Sequence, residues 1–250
     1  MAEGGQGIVY EAEEQHPRRR VALKLLLWGP FAPREARERF RRGIGLAASV
    51  KHPNVVAIHG RGVTSDGCPY YAMEWVDGED LATYRAKPVQ REVPELLRLF
   101  LGICDAIAAI HARGILHRDL KPANVMVDRS GRPRVLDFGL AKPAEPAAGD
   151  DASEITVDPV ILGTPEWAAP EQLDLRGFWL VDRRTDIYAL GRILQFLLTG
   201  GATLGAEDGS LDPVLRAIVR RAVAVDPADR YPAVEELARD CRRFLGDPAA

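Results

Sequence analysis

Residues 117–127 read HRDLKPANVMV, and Asp137-Phe138-Gly139 follows across one short turn; nothing else in the chain restricts its fold so strongly. Val125-Met126-Val127 and Arg134-Val135-Leu136 are short apolar runs on either side of Asp128-Arg129-Ser130-Gly131-Arg132-Pro133. The Asp, Ser, Gly and Pro of that intervening stretch mark a turn, so the unit reads as an antiparallel hairpin. With position 127 facing 134, the register carried back sets 124 opposite 137. The Asn124 amide oxygen and the Asp137 carboxylate then lie side by side, with backbones roughly 5 Å apart.

Two adjacent oxygen donors suit a hard cation. Mg²⁺ keeps several waters and takes one or two protein oxygens together with substrate phosphates, so a pair this sparse fits Mg²⁺–nucleotide, with Mn²⁺ the alternative ion. Asp119, just upstream, is placed to orient a hydroxyl nucleophile, and Lys121 to neutralise charge on a phosphoryl group in flight. Phosphoryl transfer is the chemistry these residue types support together.

HRDLKPAN, DFG and Ala169-Pro170-Glu171 resemble the catalytic-loop, metal-loop and activation-segment motifs of protein kinases, and Lys121 resembles the serine/threonine branch. The order is kept along almost the whole chain: a glycine-rich loop, VALK, HPNVV, MEWV, HRDLKPAN, DFG, GTPEWAAPE, DIYALG and DPADRYP. GGQGIVYEA, MEWVDG and APEQL are similar to the eukaryotic-like kinases of bacteria. The resemblance implies an α+β, two-lobed fold in one catalytic domain over residues 1–250. A small strand-rich N-lobe would occupy about 1–76 and a helical C-lobe about 77–250. It also implies ATP and Mg²⁺ as cofactors and Ser/Thr hydroxyls of proteins as acceptors, the chain itself among them. The implied partners are protein substrates, and an activating partner or second copy docking through the N-lobe.

Composition allows this and excludes other classes. A chain of 250 residues, 46% hydrophobic, can bury a core of ordinary size. The net charge of −3 argues against nucleic acid as a partner. Cys68, Cys104 and Cys241 are too scattered for a disulfide framework or a zinc site, so a reducing cytoplasm is expected. Arg98, Asp105 and Arg192 interrupt the two apolar runs nearest to a membrane span, so any anchor lies outside this chain. The first ninety or so residues read as strands with one helix, about 33–50. The rest reads as helices: one opened by Pro94 and ended by Gly114, an apolar one over 187–198, and two more near 212–224 and 232–245.

The glycine-rich loop, Glu3 to Val9, carries Gly4, Gly5 and Gly7, which let backbone N–H groups approach phosphate oxygens without a Cβ in the way. Strand alternation points Ala22 and Lys24 to one face, so Ala22 lines the adenine pocket while Lys24 reaches the α/β-phosphates; the resemblance adds Val9 to the ATP-binding residues. By resemblance Met73 guards the back pocket, and the backbone of Glu74 and Val76 hydrogen-bonds adenine. Ser153 and Thr156 are candidate phosphosites on an activation segment poor in apolar residues, able to pair with Arg118. Thr164 resembles the threonine bridging Asp119 and Lys121. Glu171 and Arg230 resemble a buried ion pair stapling that segment to the C-lobe, and Asp186 the carboxylate supporting the catalytic loop.

Three departures qualify this. Met1 falls where the first strand should have finished and Ala2 replaces the loop's first glycine, so the expectation is a truncated chain whose N-lobe lacks its first strand. Gly43 stands where the family has the glutamate that pairs the strand lysine. Among positions sharing its helical face, Arg39, Phe40, Leu46 and Ala47, none is acidic. Gly43 and Gly45 each cost roughly 1 kcal/mol against Ala in a helix interior, so the helix is expected to be weak or broken there, with Lys24 pairing Asp137 instead. Finally, the short Gly200–Leu211 stretch replaces a substrate-docking helix. A pseudokinase scaffold is the alternative these departures suggest; Lys24, Asp119, Asn124 and Asp137 together favour a working kinase.

Overall fold

Alternation of apolar and polar residues over 7–26 and 58–74 builds one antiparallel sheet. In the computed structural model, which describes residues 2–4, 7–26, 34–137, 166–173, 181–201 and 211–247, its strands are β1 (Ala2–Gly4), β2 (Gly7–Gln15), β3 (Arg18–Leu26), β4 (Ile58–Val63) and β5 (Pro69–Glu74). They lie in the order β1-β2-β3-β5-β4. The expected absence of a first strand is corrected. Ala2, Glu3 and Gly4 pair with Val9, Ile8 and Gly7, because a ladder needs only main-chain groups and three residues supply them.

The helix α1 (Arg34–Ala47) runs unbroken through Gly43 and Gly45, against the expectation of a break. Burial of Ile44 and Ala47, each 2% exposed, outweighs the glycine cost. Ile44 joins Ala22, Leu26, Val56, Tyr71 and Met73 in one apolar cluster beneath the sheet.

A second, three-stranded sheet in the order β6-β7-β8 is formed by β6 (Gly78–Asp80), β7 (Val125–Asp128) and β8 (Pro133–Val135). The remaining described helices are α2 (Leu81–Ala86), α3 (Val93–His111), α4 (Pro170–Leu173), α5 (Arg183–Thr199), α6 (Pro213–Ala222) and α7 (Val234–Phe244). The long apolar faces of α3 and α5 meet α6 and α7 in a core that includes Phe100, Ile107, Leu190, Leu194, Val219 and Leu237. The four helices anticipated over this half are therefore present, shifted by a residue or a few at their ends.

The β7–β8 hairpin forms one residue out of the anticipated register: Val125 faces Val135, Met126 faces Arg134 and Val127 faces Pro133. The turn decides this. The Asp128 carboxylate accepts from the Ser130 and Arg132 amides at 2.8 and 3.0 Å, and the Asp128 amide donates to the Arg132 carbonyl at 3.0 Å. Asp128 and Arg132 thus close a loop over 129–131, with Gly131 at φ 79 in the left-handed position that such a loop requires. The segment before β4 is tied to the same hairpin: Val56 donates to the Val135 carbonyl at 2.9 Å, and Val135 to the Asn54 carbonyl at 2.7 Å. The two halves of the chain are joined through main-chain bonds at that point.

Candidate active site

The catalytic loop is held from behind by one carboxylate. Asp186, in the first turn of α5 and 1% exposed, accepts from the His117 amide and the Arg118 amide, each at 2.8 Å, and from His111 Nε2 at 2.7 Å. Burial pushes its carboxyl up, but the His111 hydrogen bond and the bonds from the loop amides outweigh this and hold it below the usual range. Arg118 has φ 63, a left-handed conformation uncommon outside glycine, and these bonds fix it. Gln172 Nε2 of α4 also donates to the Arg118 carbonyl at 2.8 Å.

His117 is fully buried, and burial keeps its pKa low despite the neighbouring acids Asp186 and Asp119, so the ring is neutral. Its Nε2 lies 3.0 Å from the Leu136 carbonyl, which assigns the proton there and leaves Nδ1 to accept from the Asp119 amide at 3.4 Å. The histidine therefore ties the catalytic loop to the residue before Asp137.

Asp119 is the hub of the front side. Asn124 Nδ2 donates to its carbonyl at 2.7 Å and to its Oδ2 at 3.1 Å, and Lys121 Nζ lies 3.1 Å from the same Oδ2. The 3₁₀ turn Pro122–Asn124 folds the loop back so that this contact is made within five positions. Because the amide nitrogen faces Asp119, the amide oxygen of Asn124 is the atom it can offer to a cation.

Asp137 leaves the ladder immediately after Leu136, whose amide bonds the Asn124 carbonyl at 2.9 Å. Its φ of 55 turns it out of the strand. The register argument that set it directly opposite Asn124 is thus corrected; a left-handed turn, not the pleat, aims this side chain. Lys24 Nζ pairs with its Oδ2 at 2.5 Å, as expected for a chain with Gly43, while Glu38 lies on the exposed face of α1. The Tyr71 hydroxyl donates to its Oδ1.

The nucleotide-facing residues converge. Ala22 and Met73 are register partners and both buried, and Val9, Val76 and Leu136 pack against their cluster. The Glu74 amide is taken by the Ala57 carbonyl at 2.8 Å, which leaves main-chain carbonyls and the Val76 amide as the groups a base could use. Gly7 faces Leu26 across the ladder, and a Cβ there would sit 2.3 Å from the Leu25 carbonyl and 3.5 Å from Lys24 Cε. Gly4 belongs to β1. Gly5, Phe138, Gly139, Ser153, Thr156 and Thr164, and most of the 200–211 stretch, lie outside the described residues.

At the base of the site, Arg230 grips Glu171 with two bonds, Nη1 to Oε1 at 2.7 Å and Nη2 to Oε2 at 2.8 Å, and Thr185 Oγ1 adds a third at 2.9 Å. The Arg230 side chain is wholly buried, and its other protons reach the carbonyls of Ala224, Arg184 and Val225. Three contributors had no signal in the sequence: Tyr71 reads as an ordinary strand residue, His111 as a helix C-terminal charge, and Leu136 as hairpin filler. Their roles come from long-range partners, Asp137 for Tyr71, Asp186 for His111 and the His117 ring for the Leu136 carbonyl.

The protein kinase domain family matches residues 1–247, so the chain belongs to that family. It is 32% identical to the serine/threonine-protein kinase pkn3 of Myxococcus xanthus over 94% of this chain and 47% of that protein. It is also 32% identical to the serine/threonine-protein kinase PknD of Chlamydia trachomatis over 99% of this chain and 31% of that protein. It spans less than half the length of either relative. The crystal structure of the Mycobacterium tuberculosis PknI kinase domain is similar, with TM-score 0.75 and 30% identity, over 98% of this chain and 93% of that one. The chain is thus a protein kinase domain similar to those of bacterial serine/threonine-protein kinases.

Proposed function

We propose that this domain transfers the γ-phosphoryl group of ATP to serine and threonine hydroxyls of proteins, itself included, and that residues 1–250 act as one catalytic unit. The observation that carries the reading is the network around Asp119, in which Lys121 and Asn124 converge on one carboxylate oxygen. That carboxylate orients an acceptor hydroxyl and takes its proton. Lys121, the neighbouring cation, neutralises charge gathering on the phosphoryl oxygens.

Lys24 reaches the α/β-phosphates from β3, and Val9, Ala22, Met73 and Val76 enclose the adenine, with Leu136 below. The Asp137 carboxylate and the Asn124 amide oxygen are hard donors, and the donor set fits Mg²⁺, or Mn²⁺, shared with phosphate. The bound ion would supply Lewis-acid stabilisation of phosphate charge. Asp186 keeps the loop bearing Asp119 in place, and the Glu171–Arg230 pair anchors α4 beside it.

Against the scaffold alternative, Lys24, Asp119, Asn124 and Asp137 are all present, Lys24 pairing with Asp137 and Asn124 with Asp119. We place the domain in a reducing cytoplasm: Cys68, Cys104 and Cys241 are free thiols, and burial pushes Cys241 up to about 12. Among the described residues no helix is long and apolar enough to cross a membrane. The test is turnover of radiolabelled ATP on a basic protein and on the chain itself. Asp119→Asn should lower the rate at least about a hundredfold while still binding nucleotide; equal signal from both proteins would leave only a binding module.

A further inference from the structure

The family's usual partner for the strand lysine is a glutamate on the helix after it, and this chain has Gly43 there. Something else must locate the Lys24–Asp137 pair if it is to hold a metal in one place. Lys24 and Tyr71 are Cα partners in the β3–β5 ladder, and paired residues project to the same face. From that face both reach Asp137, and they take different oxygens: Lys24 holds Oδ2 at 2.5 Å, and the Tyr71 hydroxyl donates to Oδ1. A carboxylate held by one oxygen can still swing about its last torsion. Held by both, it cannot.

We propose that Tyr71 is a positioning residue for the Asp137 carboxylate, supplying from β5 the restraint that no side chain at position 43 can supply from α1. This rests on the kinase reading above. Tyr71 is 1% exposed and belongs to the same apolar cluster as Ile44, the neighbour of Gly43, so its ring occupies the space between the sheet and α1. The phenolic O–H is the donor of the bond to Asp137 and the carboxylate oxygen its acceptor.

Asp137 also needs such a restraint for its own backbone. Its φ of 55 is costly for a residue with a Cβ and persists where the surroundings over-determine it. Nor does the tyrosine block the metal, since a carboxylate accepts at about four lone-pair positions and two remain. Tyr71 further links the two halves of the molecule, because Asp137 belongs to the segment leaving β8 and Tyr71 to the N-terminal sheet.

The experiment is to saturate the domain with a non-hydrolysable ATP analogue and titrate Mn²⁺, reading free ion by electron paramagnetic resonance, for the native chain and Tyr71→Phe. Phenylalanine removes one oxygen and keeps the packing. Mn²⁺ affinity should fall roughly tenfold in the variant, the size expected for one lost hydrogen bond to a charged group, while affinity for the analogue without metal is kept. Loss of both affinities together would mark Tyr71 as packing alone and overturn the proposal, as would equal Mn²⁺ affinity in the two proteins. If the native chain binds neither ion nor analogue, the kinase reading falls and the proposal falls with it.

Discussion

Gly7 meets two demands, and only one of them concerns nucleotide. Phosphate approach requires a bare backbone, as the loop pattern suggests, but the ladder requires it too: an added Cβ would stand 2.3 Å from a main-chain oxygen that cannot rotate away. Gly7→Ala should therefore lower the stability of the nucleotide-free domain by roughly 1–3 kcal/mol, the usual cost of overpacking. Urea midpoints without ligand check this; a variant that loses nucleotide affinity and no stability would refute it. The same contrast separates what the sequence showed from what it hid. Asp119, Lys121 and Asn124 were legible because a loop of a few residues brings them together. Tyr71 and Asp137 are 66 positions apart, and their contact exists only once β5 and the β7–β8 hairpin are assembled.

Helix α1 shows propensity yielding to packing. Two interior glycines should weaken an isolated helix, yet Ile44 and Ala47 bury against the sheet and the helix continues. Gly43→Glu should raise helix stability by up to about 1 kcal/mol, because glycine alone costs that much against good helix formers. It should also raise turnover by giving Lys24 a second partner. The gain should be larger in a Tyr71→Phe background than in the native chain, since the glutamate and the tyrosine restrain the same Lys24–Asp137 pair and their effects should not add. Turnover ratios from the four-protein cycle measure this; equal gains in both backgrounds would mean that the two positions act independently. The β7–β8 hairpin carries the opposite lesson. Its existence followed from turn residues, but its register followed from Asp128 gathering the Ser130 and Arg132 amides, a choice that a count of apolar residues does not make.

Across the whole molecule, stability is tied to pH by groups that folding takes out of water, His59 in β4 and His117, Glu171 and Asp186 around the catalytic loop. His117 and His59 are both held below the ordinary histidine value of 6.5, burial being the leading cause in each. The unfolded chain then binds protons that the folded chain does not, so stability is complete above pH 6.5 and falls as pH drops below it. Asp186 and Glu171 act in the same direction lower down. Burial opposes their charge, but the His111 and Arg230 bonds win and hold both below their ordinary values of 3.8 and 4.5. A depressed carboxyl contributes stability above its unfolded pKa and loses it as pH falls through the folded one, so a second decline should begin near pH 4.5. Urea midpoints at half-unit steps from pH 8 to 4 should be level at first, slope downward from about 6.5 and steepen in the carboxylate range. Glu171→Gln separates the contributions: it leaves Arg230 buried without a counter-charge, a loss on the order of 3–5 kcal/mol at neutral pH, and it removes part of the acid-range slope while the histidine slope stays. A midpoint that is flat or rising down to pH 4 in the native chain would contradict the assignment of these groups as neutral histidines and charged, paired carboxylates.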